Sequence, residues 1–109
     1  MKYLRNFENL SEPQIGDYVI CNSESLNSIE LSNFILTTLG KIVDINDDGG
    51  YLKYYVKYEN IPNSISIFFY DLFGLKNDNI RRFNKKDIIV HSSDKKTVEA
   101  FLIANKFGL

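Results

Sequence analysis

The sharpest pattern in the chain is the period-two alternation over residues 51–59, YLKYYVKYE. Leu52, Tyr54, Val56 and Tyr58 fall on one side, and Tyr51, Lys53, Tyr55, Lys57 and Glu59 fall on the other. Successive strand side chains point to opposite faces, so this stretch predicts a strand with an apolar core face and a mixed outer face. KIVDI (41–45) precedes it as a second strand. The connection, Asn46 to Gly50, reads as a five-residue hairpin loop in which glycine supplies positive φ. Upstream, QIGDYVICN (14–22) is a strand with Tyr18 and Ile20 on one face and Val19 and Cys21 on the other. Apolar residues on both faces predict cover on both sides.

The segments between are less regular. Ser and Asn mark a loop after residue 22, and Leu31, Phe34, Ile35 and Thr38 then suggest one or two helical turns. Gly40 stands where a helix-terminating glycine is expected. Pro62 ends the long strand; SISIFFYDLF (64–73) reads as a short strand or packed loop, and GLKNDN (74–79) as a turn. The last strand is expected around Asp87 to His91. A C-terminal helix follows over 94–107, capped by Ser93 or Asp94, with Val98, Phe101, Leu102 and Asn105 on one face. Lys106 suits its dipole and Gly108 its end. Residues 1–13 form a leader that Pro13 closes. The expected fold is therefore α+β in a single domain over 1–109. A bent, antiparallel, barrel-like sheet of about five strands occupies 14–91, with a short helix in an early connection and a helix at the C-terminus.

Composition supports that architecture. A 109-residue chain, 44% hydrophobic and 25% charged, has the size and balance of one domain with its own core. Its fifteen Tyr and Phe and thirteen Ile favour strands, while two Ala disfavour a helical bundle. A single cysteine excludes an internal disulfide and fits a reducing compartment. With no signal-peptide pattern and no long apolar run, the expectation is a cytoplasmic protein without membrane contact. Charge is unevenly spread: residues 1–50 carry a net −5 and residues 51–109 a net +4.

The chemistry-bearing motifs are few. Asp44, Asn46, Asp48 and Gly49 match the opening of a calcium loop. The bidentate acid needed at the twelfth position is replaced by Tyr55, and both flanks read as strands rather than helices, so the stretch is read as a hairpin tip. His91 is the only histidine and has no evident base partner; Cys21, within a strand, is read as a small buried hydrophobe. One Cys and one His cannot form a zinc site, and no phosphate loop or dinucleotide fingerprint is present, so no cofactor and no catalytic residue are assigned. The best candidate for binding is RRFNKK (81–86), where Arg81, Arg82, Lys85 and Lys86 surround Phe83. Tyr51, Lys53, Tyr55 and Lys57 on the outer strand face extend it. Cations interleaved with aromatics neutralise phosphates and stack bases, which opens a nucleic-acid reading.

IGDYVIC, the hairpin GKIVDINDDGGYLKYYVKYENI and DIIV together resemble the Src-homology-3-like small barrels, including KOW- and Tudor-type modules. MKYLRNFENL followed by IGDYV, with VKYENIP and the terminal ANKFGL, is similar to small uncharacterised proteins of A/T-rich phages. Asn, Ile, Lys, Tyr and Phe supply 50 of the 109 residues, consistent with A/T-rich coding. The resemblance implies a non-enzymatic protein-binding or adaptor module, phage-encoded and acting in virion assembly or on a host system, in the host cytoplasm or the virion. Nucleic acid is the alternative partner, and a homo-oligomer through the hairpin edge is a further expectation.

Overall fold

The computed structural model describes residues 12–22, 28–69 and 79–106. The expected leader, apart from Glu12 and Pro13, and the turn at 74–79, apart from Asn79, lie outside the described residues. The elements run β1 (Tyr18–Cys21), α1 (Ile29–Thr37), β2 (Gly40–Asp48), β3 (Tyr51–Lys57), a 3-10 segment (Asn63–Phe68), β4 (Ile80–Asn84), a short 3-10 turn (Lys85–Asp87), β5 (Ile88–Ser92) and α2 (Lys95–Lys106). The five strands form one antiparallel sheet in the order β4-β3-β2-β1-β5, with an early and a C-terminal helix, so the fold is α+β. The sheet is open rather than closed into a barrel: β4 and β5 each pair on one side only among the described residues.

Ser28 starts α1, its Oγ accepting the Leu31 N–H at 3.1 Å, a cap that contributes about 1 kcal/mol. Leu31 and Ile35 of α1 are fully buried. They pack on a sheet face made by Val19, Cys21, Ile42, Tyr54, Val56, Tyr58 and Phe83. Ile65 and Phe69 close the same core from the 3-10 segment, so SISIFF is a packed plug and not a strand. Phe34, Tyr58 and Phe69 meet in tilted and edge-on contacts with centroids 5.7–6.1 Å apart, the geometry their ring quadrupoles favour. On the opposite side of β1, Ile20 is buried together with Val98 of α2, and α2 contacts both β1 and β5. The two apolar faces of β1 are thus covered by different helices. Asp94 caps α2 through contacts to the Lys96 N–H and the Thr97 hydroxyl.

Two sequence expectations change. Gly40 is not a helix terminator: α1 ends at the extended Thr38, and Gly40 opens β2. A Cβ there would stand 2.4 Å from Val56 Cγ1 and 2.9 Å from Tyr58 Cε1, so glycine is required by close packing. The hairpin loop is also shorter than five residues. Asp48 pairs with Tyr51, leaving Gly49 and Gly50 as a two-residue turn with φ of 64° and 93°, and positive φ at both positions matches the twist of the flanking strands. Asp47 Oδ1 accepts the Gly50 N–H at 3.0 Å, so this carboxylate serves the turn.

Candidate binding face

The site follows from strand register. Directly opposed residues in antiparallel strands share a face, and β2 pairs Asp44 with Tyr55, which β4 pairs with Arg82. The next row is Asn46, Lys53 and Asn84, and Lys41 pairs with Lys57 beyond it. A bulge at Ile42/Asp44 absorbs Val43 and keeps Ile42 and Ile45 on the core side. The outer face of β2–β3–β4 therefore gathers Lys41, Lys53, Lys57 and Arg82 around the half-buried Tyr55, with Asp44 as the acid within those rows. Lys53 Nζ donates to Asn84 Oδ1 at 2.8 Å, which ties β3 to β4 across this face. Tyr51, 72% exposed, stands at the hairpin tip. A shallow groove separates it from Lys85 and Lys86.

The structure brings together the four predicted residues of β3 but splits the predicted basic run. RRFNKK is largely strand β4 and the turn after it, not a loop presenting all its side chains. Arg81 pairs with Val56 and turns to the core side. Its Nη1 donates to the Phe68 carbonyl at 3.0 Å, and its Nε is buried without a hydrogen-bond partner among the described residues. Phe83, opposite Tyr54, is only 3% exposed and offers no ring for stacking. Of the two arginines, Arg82 alone joins the outer face, beside Tyr55. Lys85 and Lys86 lie on the following turn. Lys85 Nζ meets Glu12 Oε1 at 2.6 Å, and that hydrogen bond is the main cause that raises its pKa.

No protein family, curated protein or solved structure matches this chain.

Two further groups complete the chemical inventory. His91 does have a carboxylate partner: its Nδ1 lies 3.2 Å from Asp17 Oδ2, which also accepts the Gln14 N–H at 3.0 Å. Asp17 is 7% exposed, so this contact fastens the entry to β1 onto β5. The residues are 74 positions apart, and no local pattern signals the contact. Cys21 is fully buried, as expected. Burial is the main cause that pushes its thiol up to about 12, against a lowering effect of the neighbouring Tyr58 hydroxyl. The Tyr58 hydroxyl is likewise driven well above its ordinary value, chiefly by burial, and it has no hydrogen-bond partner among the described residues. A thiol in this setting stays protonated and inert at neutral pH. No helix among the described residues is long and apolar enough to cross a membrane. The hairpin strands are interior to the sheet; among the described residues, the strands that pair on one side only are β4 and β5.

Proposed function

We propose that this protein is a non-enzymatic protein-binding module that receives an acidic segment of its partner on the outer face of β2–β3–β4. The observation that carries the reading is the grouping of Lys41, Lys53, Lys57 and Arg82 around Tyr55, with Asp44 the one carboxylate in the same rows. Exposed ion pairs contribute about 0.2–1 kcal/mol each, so a few of them give a weak, salt-sensitive and fast-forming contact. Tyr55 and Tyr51 add amphipathic area at little entropic cost. The phage setting implied by the sequence resemblance belongs to the same proposal.

Nucleic acid is the second reading, favoured by the exposed Tyr51 ring beside Lys53, since a ring and a nearby cation suit a stacked base and its phosphate. The burial of Phe83 and the inward turn of Arg81 weaken it, because they remove an aromatic and a cation from the basic run. The test is affinity capture from lysate of the source organism with wild type and with the triple variant Lys53→Glu, Lys57→Glu, Arg82→Glu, each with and without nuclease. A protein partner held by wild type after nuclease, released at raised salt and lost by the variant, is the expected result. Equal recovery by both would overturn the assignment of the face, and recovery of nucleic acid alone would favour the second reading.

A further inference from the structure

The strongest unassigned feature lies where the first turns of α2 approach the roots of β2 and β3. A pocket of about 390 Å3 opens there, floored by Tyr18 and Gly40 and walled by Lys41, Lys57, Lys95, Glu59 and Glu99. That volume is within the range of small-ligand sites, about 300–1,000 Å3. Three lysines line it from three elements: Lys41 from β2, Lys57 from β3 and Lys95 from α2.

Their arrangement is unusual for charges that serve only the fold. Lys41 and Lys57 are directly opposed in the β2–β3 ladder, where like charges destabilise a sheet. Glu59 and Glu99 line the same space, yet neither forms an ion pair with the three lysines among the described residues. The Lys41 ammonium instead lies over the Tyr18 ring, 5.4 Å from its centroid. Asn60, at the rim, holds a left-handed φ of 57°. The walls carry one more positive than negative charge, and none of the three lysines has an ion-pair partner among the described residues.

We infer that this pocket is a binding site for a compact phosphate-type anion, with Lys41, Lys57 and Lys95 as its ligands. An anion placed among the three ammoniums would relieve the repulsion between Lys41 and Lys57 and bridge the sheet to α2. Glu59 and Glu99 oppose it, which limits the site to small, strongly charged groups able to sit close to the lysines. The pocket shares Lys41 and Lys57 with the face proposed above, whereas Lys95 and Glu99 lie on α2, outside the β2–β3–β4 face, and separate the two sites.

The test is a two-dimensional amide NMR titration of the full chain with sodium pyrophosphate at low ionic strength, with sodium chloride of matched ionic strength as the control. Saturable shifts centred on Gly40, Lys41, Lys57 and Lys95 are expected, with a Kd near or below about 1 mM. Lys95→Gln should weaken binding about fivefold and Glu99→Gln should tighten it by a similar factor, the effect of one unit charge at about 4 Å in water. Both positions are exposed on α2, so both variants should fold. The absence of saturation by about 10 mM, equal shifts with chloride, or identical affinities in the two variants would each overturn the site. Pyrophosphate binding that persists in the Lys53→Glu, Arg82→Glu double variant would show the pocket standing whether or not the partner reading does.

Discussion

Replacing Gly40 with alanine tests the close packing of the hairpin root against the core. The added Cβ would sit 2.4 Å from Val56 Cγ1, with Tyr58 Cε1 at 2.9 Å and Cζ at 3.0 Å. Neither neighbour yields easily. Both are fully buried, and the β-branched valine is stiff at χ1. Overpacking of this kind costs about 1–3 kcal/mol. A contact more than an ångström too close belongs in the upper half of that range. Alanine would also stabilise by about 0.4–1 kcal/mol through the unfolded chain, leaving a net loss of about 1–2.5 kcal/mol. An unfolding entropy of about 2.1 cal/mol/K per residue, over this chain, converts each kcal/mol into about 4 °C. The melting temperature should therefore fall by about 4–10 °C, read by circular dichroism or calorimetry. The Val56→Ala background supplies the decisive comparison, because it removes the nearest clashing methyl. There the Gly40→Ala penalty should shrink by about 1 kcal/mol or more, the coupling typical of residues in contact. Gly40→Asn should be worse than Gly40→Ala; at a left-handed helix terminus, by contrast, Asn is tolerated. A rise in melting temperature for Gly40→Ala, or the same penalty in both backgrounds, would refute the packing argument.

Two other outcomes follow from the geometry. Arg81→Ala should destabilise by about 1.5–3 kcal/mol, since it removes a charged donor from the Phe68 carbonyl, whereas Arg82→Ala should cost less stability and weaken partner binding more; equal urea midpoints for the two variants would contradict the assigned faces. The Cys21 thiol should resist a disulfide reagent at pH 8 in the native protein and react promptly in denaturant. Because its pKa rises from 9.0 to about 12 on folding, the neutral thiol's contribution is fully present below about pH 9 and is lost as pH climbs toward 12. Urea midpoints should fall over that window, and less steeply in Cys21→Val; identical slopes would show that this thiol is not the source.

Much of the fold was legible because its signals are local. The alternation at 51–58 placed Tyr54, Val56 and Tyr58 in the core, and all three are buried. It also put Leu52 on that face, but near the tip the hairpin outruns the core and Leu52 is 42% exposed. The doubly apolar β1 proved to be covered on both sides. The C-terminal helix was marked by its Asp94 cap and by Val98 at its first buried position. Strand β4 was missed for a physical reason: Ile80 and Phe83 are both buried though they alternate to opposite faces, and two arginines separate them. An edge strand of that composition has no period-two signature and reads as a basic turn. Gly40 was misread because a glycine after a helical stretch suits a cap and a tight strand crossing equally, and what decides is Val56, sixteen residues away.

The candidate face was half legible on the same grounds. Tyr51, Lys53, Tyr55 and Lys57 share a side by alternation alone, which needs no tertiary information. The cations at 81–86 seemed to form one patch because they are adjacent in sequence, but adjacency along a strand separates side chains rather than gathering them. Arg81 and Arg82 leave β4 on opposite faces, so one braces Phe68 while the other stands beside Tyr55. The charge of the outer face is instead assembled by register from Lys41, Lys53, Lys57 and Arg82 on three strands. Lys41 comes from the half of the chain whose net charge is negative. The contrast between an acidic and a basic half therefore does not survive folding as two opposed surfaces, and an electrostatic account of binding has to count charges by strand row. Under that count the acidic tip and the basic run lose their apparent separation: Asp44 and Arg82 flank the same tyrosine, and a ligand on this face meets both at once.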